Sequence, residues 1–496
     1  MSEGFIRYES KNGVEYASIY RAKRVNGKKI NEVENLGRVI DREKGIFRNR
    51  TRGTFSFSFE YGAVELPQEV SEKLILDFGD SFFLGQMLSK NGLLPLIKRT
   101  FGGSDSADTV ASLMFYKSLS GGANCYADTW YEGSYARIMF PAAKLISQRI
   151  SETLLTIGDE CVCRTFFNEY LQFISSRCGN SILVDSSGMP NDIRMPITAV
   201  NNHNGVISNE SRLIYVVERD SKLPIYFRYA PGNVVDVSTL KTTIAEVKAF
   251  EINVRQAIVD AGYYSDKNVK ALQKDKISFV LRVPPNRKLY KEVVAEHAPT
   301  LEDAKYLLKY RDRFVYIKRI GVDFFGTNGF VYVAIDIDRK HDESKIFLNK
   351  NYDNDELSSS DMNAALMSKG RFVLASAEEI DPVDILPLYY QRQTIEQVFD
   401  ISKSNSDLLP LRVHGENTFR GHLLLSFITT VVYILVNQML EKSDWCAAGA
   451  YRILRNQKCK VFDESIIPQE ATKKMNDIAK HVGIEFPTAL QHQTVW

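Results

Sequence analysis

Ser181-Ile-Leu-Val-Asp185 is an apolar run that ends in a carboxylate, and Gln256-Ala-Ile-Val-Asp260 repeats the pattern. Short runs of this kind, closed by polar residues, read as buried strands. Between them, residues 212–218 and 225–229 flank the turn Asp220-Ser-Lys-Leu-Pro224 and read as a hairpin, and a helical pattern begins near Ser238. After the second run come a helix from about Asp266 and a strand, Ser278-Phe-Val-Leu-Arg282. If the two apolar strands are neighbours, Asp185 and Asp260 stand side by side at one edge of a sheet, open to substrate. Taken singly, each is also what the first polar residue of any loop looks like.

Three strands, helix, strand, helix, strand is the order of a ribonuclease-H-like α/β fold, so residues 179–282 read as the first part of such a core. Residues 283–385 break the rhythm, with strands at 313–319, 329–336 and 371–376 joined by polar stretches, and read as an inserted, mainly β subdomain. A long helical pattern from Leu386 returns the chain to the core, which takes in residues 386–440. Upstream, residues 66–178 have helical periodicity around 80–90, 106–119, 147–157 and 160–176, with Gly92 and Gly158 as stops. Short helices joined by tight turns suit a DNA reader, and equally any small helical bundle. In residues 1–65 the pairs Asn12-Gly13 and Asn26-Gly27 separate short alternating runs and predict an antiparallel meander over 5–35. Residues 441–496 form a mixed tail that carries no reading.

With 496 residues, 44% hydrophobic and 25% charged, the chain is neither largely disordered nor collagen-like, and two to four domains are expected. The net charge of +2 conceals a basic N-terminus, because residues 1–60 hold 13 Lys and Arg against 8 Asp and Glu. That excess suits a phosphate backbone or a plain solvated surface. Cys125, Cys161, Cys163, Cys178, Cys446 and Cys459 lack zinc-site spacing and read as reduced thiols. The start, Met1-Ser-Glu-Gly-Phe-Ile-Arg7, has no apolar stretch of signal-peptide type, so a cytoplasmic protein is expected. Residues 423–440 are apolar enough to raise the question of a membrane span, but Ser426, Thr429, Thr430, Asn437 and Gln438 interrupt them, and a buried core helix is expected with no membrane partner.

The chemistry gathers on the helical pattern after Leu386. At 100° per residue Tyr389, Arg392 and Lys403 lie within about 40° of Glu396, so one face would carry an acid, two cations and a phenol. A solvated amphipathic face collects such residues too. A carboxylate for metal flanked by cations for phosphate is nonetheless a coherent set, since hard ions such as Mg²⁺ take a few carboxylates, and Arg392 could grip a phosphate through two parallel hydrogen bonds. Asp400 lies on the same face and rivals Glu396 as the third acid. Asp236 and Asp266 read as capping or preceding helices. His422 reads as a structural histidine, and Arg420 as a residue that could approach DNA.

The spacing Tyr389-x2-Arg392-x3-Glu396-x6-Lys403 resembles the signature of bacterial DDE transposases of the insertion-sequence-four group. Leu183-Val-Asp185-Ser-Ser-Gly188 resembles that family's first-Asp strand, and Asp260-Ala-Gly262-Tyr263 its second. The likeness covers roughly residues 180–440, and the N-terminal regions look like the 1634-type subgroup. It implies Asp185, Asp260 and Glu396 as catalytic metal ligands for a two-ion Mg²⁺ site that could also take Mn²⁺. It also implies Tyr389, Arg392 and Lys403 as the residues that position DNA phosphates. The partners implied are terminal inverted repeats and target DNA, with two protomers acting on paired ends. Two other readings stand beside this one: a ribonuclease-H-like nuclease or resolvase without strand transfer, and a former transposase that only binds DNA. Relatives can stack a flipped base on a Trp of the insertion, whereas Trp130, Trp445 and Trp496 lie elsewhere, which would leave that role to an aromatic such as Phe324 or Phe325.

Overall fold

Alternation of apolar and polar residues begins at once in the chain and builds a sheet first. The computed structural model describes residues 4–11, 14–25, 28–65, 74–191, 193, 195–203, 206–324, 326–352 and 357–491. It divides into two units, one made of residues 1–74 with 460–467 and 491–493, the other of the rest.

The first unit holds β1 (Phe5–Lys11), β2 (Val14–Val25), β3 (Lys28–Asp41), β4 (Ile46–Asn49), β5 (Gly53–Ser58) and β6 (Gly62–Glu65), hydrogen-bonded in sequence order. Every pairing is antiparallel. Alternate side chains fall on one face of such a sheet, and Ala17, Ile19, Leu36, Phe47, Phe55 and Phe57 form its core. The expected meander is therefore present, and its strands go on past residue 35 to fill the N-terminal segment that the sequence set apart. Its two Asn-Gly pairs lie outside the described residues.

After β7 (Leu74–Asp77), at whose first residue the units divide, the second unit has seven helices: α1 (Gly79–Lys90), α2 (Leu93–Thr100), α3 (Ser104–Leu119), α4 (Ala127–Gly133), α5 (Ala136–Met139), α6 (Ser147–Ile157) and α7 (Glu160–Ile174). Then follow β8 (Ser181–Pro190), β9 (Ala199–His203), β10 (Val206–Glu218), β11 (Pro224–Pro231), α8 (Leu240–Ala249), β12 (Gln256–Val259), α9 (Asp266–Lys274) and β13 (Ser278–Arg282). Next are α10 (Lys288–His297), β14 (Leu307–Tyr310), β15 (Arg313–Phe324), β16 (Thr327–Asp336), α11 (Ile337–Asn351), α12 (Ser359–Ser368) and β17 (Arg371–Ser376). The chain continues as α13 (Pro382–Tyr390), α14 (Gln393–Asp400), a π turn (Ile401–Asn405), α15 (Glu416–Met439), α16 (Ala447–Leu454) and α17 (Lys473–His481).

One sheet of ten strands runs β11-β10-β8-β12-β13-β17-β16-β15-β14, with β9 on β10. β8, β12 and β13 are parallel, and β10 and β11 antiparallel beside them, which is the ribonuclease-H-like order. The expected insertion differs from its sequence reading in two ways. Its strands extend the core sheet, because β17 pairs with β13 and β16 with β17. It also holds three helices, α10 to α12, so it is mixed α/β and not mainly β.

α15 explains why the apolar run 423–440 needs no bilayer. It is long and apolar enough to cross a membrane, but 89% of its apolar window is buried inside the protein. Its polar residues are satisfied locally: the Thr429 and Thr430 hydroxyls donate to the carbonyls one turn back, and Ser426 and Thr430 meet Ser402 of the π turn and Ser406 just after it at 3.2 and 3.1 Å. Phe427 of α15 packs against Phe166, Phe167 and Tyr170 of α7 and against Tyr215 and Phe227 of the sheet, with ring centroids 5.4–6.2 Å away. The helical region 66–178 thus shares its core with the α/β part and is not a free-standing domain.

Candidate active site

The register of the parallel strands places the first two acids. Val259 pairs with Val184, so Asp260 and Asp185 are the next residues along two adjacent strands and leave the pairing side by side. β12 ends there, while β8 carries on to Pro190 against β10. Asp185 is therefore inside a strand and well buried, its side chain 15% exposed, whereas Asp260 opens the 3-10 turn Ala261–Tyr263.

Glu396 arrives from α14, whose Ile395, Val398 and Phe399 are buried. The single long helix expected from residue 386 does not form. α13 begins with Asp381 as its N-cap and Pro382 in its first turn, stops at Tyr390, and α14 starts at Gln393. Thr394 and Ile395 bond three residues back at this break, to Gln391 and Arg392. A second irregularity, the π turn, carries Lys403. The one-face wheel drawn from 100° per residue therefore fails, yet Tyr389, Arg392 and Glu396 still converge, because the tight step keeps their direction.

Arg392 is the centre of the arrangement. Its guanidinium lies 2.6 Å from Asp185 Oδ2, 2.9 Å from Glu396 Oε1 and 3.9 Å from Asp260 Oδ1. That grouping favours Glu396 over Asp400 as the third acid. The Tyr389 hydroxyl donates to Asp260 Oδ1 at 3.0 Å, and Tyr389, 6% exposed, acts on the carboxylate and not on an outside ligand. Lys403 Nζ donates to Ser187 Oγ at 2.6 Å and to the Gly188 carbonyl at 3.0 Å, so it grips β8 just past Asp185. The π turn makes this reach, since Ser402 faces Tyr215 and Ser426 while Lys403 faces the strand.

Burial pushes the Asp185 carboxyl up to about 6, against the downward pull of Arg392. Burial together with the Asp260 charge raises Tyr389, so its proton stays on the phenol. Burial lowers Lys403. One guanidinium against three carboxylates leaves two negative charges over, and the donors are hard oxygens, which is the chemistry a divalent ion of the Mg²⁺ type takes. The spacing here is that of a guanidinium: among the described residues no three Asp, Glu, His or Cys side chains stand close enough to share a metal ion. By donor type the three carboxylates fit such an ion, and Asp185, Asp260 and Glu396 are the residues that would hold it.

The remaining candidates are placed elsewhere. His422 is buried with Nε2 3.0 Å from the Leu408 carbonyl, and burial lowers its pKa. Arg420 ties Tyr229 to the Gly158 carbonyl. Asp266 is the first residue of α9, whose cap is Ser265. Phe324 is core, packed edge-on against Phe279 at 5.9 Å, which removes it as a stacking platform, and Phe325 and Trp496 lie outside the described residues. Asp236 does precede a helix, α8, as its sequence reading held, but its place beside Asp185 was missed. It begins a 3-10 turn, but its carboxylate takes hydrogen bonds from Ser186 Oγ at 2.5 Å and Arg212 Nη1 at 2.6 Å, one residue from Asp185. No local pattern announces this contact, which shows only in space, where a Cβ added at Gly262 would stand 3.2 Å from Asp236 Oδ2.

Residues 201–432 match the family model described as the transposase DDE domain. The match is just under half the chain; it takes in Asp260, Tyr389, Arg392, Glu396 and Lys403 and begins beyond Asp185. No match was found among curated proteins. A solved chain from a piggyBac transposase synaptic complex with hairpin DNA is similar at 12% identity and a TM-score of 0.39, over 76% of this chain and 78% of that one.

Proposed function

We propose that this chain is a DDE transposase of the insertion-sequence-four type, which binds the terminal inverted repeats of its own element, cleaves there and joins the freed 3′ hydroxyl to target DNA. The observation that carries the reading is the convergence of Asp185, Asp260 and Glu396 on one cation, within a stretch that matches the transposase DDE domain. Mg²⁺ held by these three acids would activate the attacking oxygen and stabilise the leaving one. The protein's own part is orientation. Tyr389 fixes the direction of Asp260 by donating its phenolic proton to Oδ1. Arg392 screens the acids from each other and is the group able to turn towards a backbone phosphate in two parallel hydrogen bonds. Lys403 holds Ser187 and Gly188, and with them the strand that carries Asp185. The helical region and the basic N-terminal sheet are proposed to read the element's ends, and two protomers to act on paired ends in the cytoplasm.

The test is incubation of the full chain with labelled inverted-repeat DNA in Mg²⁺. Cleavage and joined products are expected, with both lost in chelator. Glu396→Ala should lower cleavage by about a hundredfold or more, as loss of a charge-stabilising group in an active site does, and Asp400→Ala should leave it near the unaltered rate. Cleavage without joined products would instead favour a nuclease or resolvase. Retained activity in Glu396→Ala would remove Glu396 from the site.

A further inference from the structure

We propose that Asp236, paired with Arg212, is a positioning residue that locks the Asp185 strand to the Asp260 turn and so sets the distance between the two acids. The inference rests on the reading of these acids as one site and adds a component to it.

Hydrogen bonds, with one backbone step from Asp236 to Val237, join the Asp185 strand to the Asp260 turn. Ser186, next to Asp185, donates to Asp236 Oδ1, which Arg212 Nη1 also reaches. Arg212 comes from β10, opposite Gly188 of β8, and its Nη1 lies 3.2 Å from Ser186 Oγ as well. On the other side of Asp236, Asn268 of α9 donates one amide group to two carbonyls, Val237 in the Asp236 turn and Tyr263 in the Asp260 turn, both at 2.8 Å. The path from Asp185 to Asp260 thus runs Ser186, Asp236, Val237, Asn268, Tyr263. Steric fit closes it. A Cβ on Gly262 would crowd the Asp236 carboxylate at 3.2 Å, and a Cβ on Gly188 would meet the Glu210 carboxylate at 2.5 Å, which itself lies 3.8 Å from Arg212.

A carboxylate suits position 236 because its charge meets the Arg212 guanidinium, whose side chain is only 14% exposed, while the same oxygen accepts from Ser186. Removing the acceptor leaves a mostly buried guanidinium and a hydroxyl without it. The ion pair holds the Asp185 strand directly through Ser186, while on the Asp260 side the Asp236 carboxylate lies against Gly262 and the next residue, Val237, is tied to Tyr263 through Asn268.

The experiment uses the full chain without DNA and two measurements. Hydrogen exchange of the metal-free protein should show that Asp236→Ala raises exchange in residues 181–190 and 258–264 together, with the first unit unchanged. Calorimetric titration with Mn²⁺, run well below the melting temperature of each variant, should show affinity about 10- to 100-fold weaker in Asp236→Ala, the loss typical when a group that orients a metal ligand is removed. Asp236→Asn, which keeps an acceptor for Ser186, should recover part of that loss, and Ser186→Ala should show it in milder form if Asp236→Ala does not fold. Unchanged exchange at either segment, or Mn²⁺ affinity equal to the unaltered chain in both Asp236→Ala and Ser186→Ala, overturns the proposal. Failure of the unaltered chain to bind Mn²⁺ would sink the metal reading of the acids, while the exchange result would still decide the role of Asp236.

Discussion

Asp185 is buried where a metal ion is expected to offset its charge, so in metal-free protein its ionised form is a burden. Its carboxyl is raised to about 6 from the ordinary 3.8, and the sign follows from linkage. A folded-state pKa above the unfolded one means that stability is fully present below about pH 4 and is lost as pH rises through 6. Asp185→Asn removes that loss. In chelator at pH 7 the variant should be more stable than the unaltered chain by on the order of 2–3 kcal/mol, and the difference should vanish near pH 4. Thermal melts at both pH values in chelator check this, and a variant less stable at pH 7 would contradict it. The same substitution should abolish cleavage, which separates stability from function at one residue. Tyr389 belongs to this scale too: Tyr389→Phe deletes the hydrogen bond to Asp260 and keeps the packing. It should weaken Mn²⁺ binding by about 10-fold, measured by calorimetry, with the melting temperature in chelator barely moved.

At the scale of elements, the helical segment after β17 shows how far periodicity carries. The spacing of Tyr389, Arg392, Glu396 and Lys403 is visible in the sequence, and three of the four do gather on the acids. A uniform helix was the wrong carrier. The chain breaks at Gln391–Arg392, and the π turn at Ile401–Asn405 is held by contacts with α15 and β8 that local propensity does not encode. π turns recur at functional sites because they re-aim a side chain. Here Ser402 is the anchor, between Tyr215 and Ser426. Ser402→Ala should cost about 1–2 kcal/mol by leaving buried hydroxyls under-satisfied, read by denaturant unfolding. It should also loosen Lys403 from Ser187 and Gly188, seen as a fall in cleavage rate that Lys403→Ala does not deepen.

For the whole molecule, α15 is the common support of the helical region and the sheet. Phe427→Ala should destabilise the second unit by about 3–5 kcal/mol, as loss of a fully packed aromatic does, measured by denaturant unfolding. By the same packing, a fragment ending at residue 178 would expose the aromatic face of α7, so end recognition is best tested in the full chain. Legible from the chain alone were the apolar runs that lead into Asp185, within β8, and into Asp260, just past β12, together with the order of the α/β core, the four upstream helices that it named and the charged residues after Leu386. Those depend on local patterns: runs of apolar residues, turn chemistry, and the types of side chain present. Folding in three dimensions decided that the 283–385 strands extend the core sheet, that Arg392 stands among the three acids, and that Asp236 meets Ser186 and Arg212 beside Asp185. Each is a contact between residues far apart in the chain, where register and close packing choose the partner and no local spacing can.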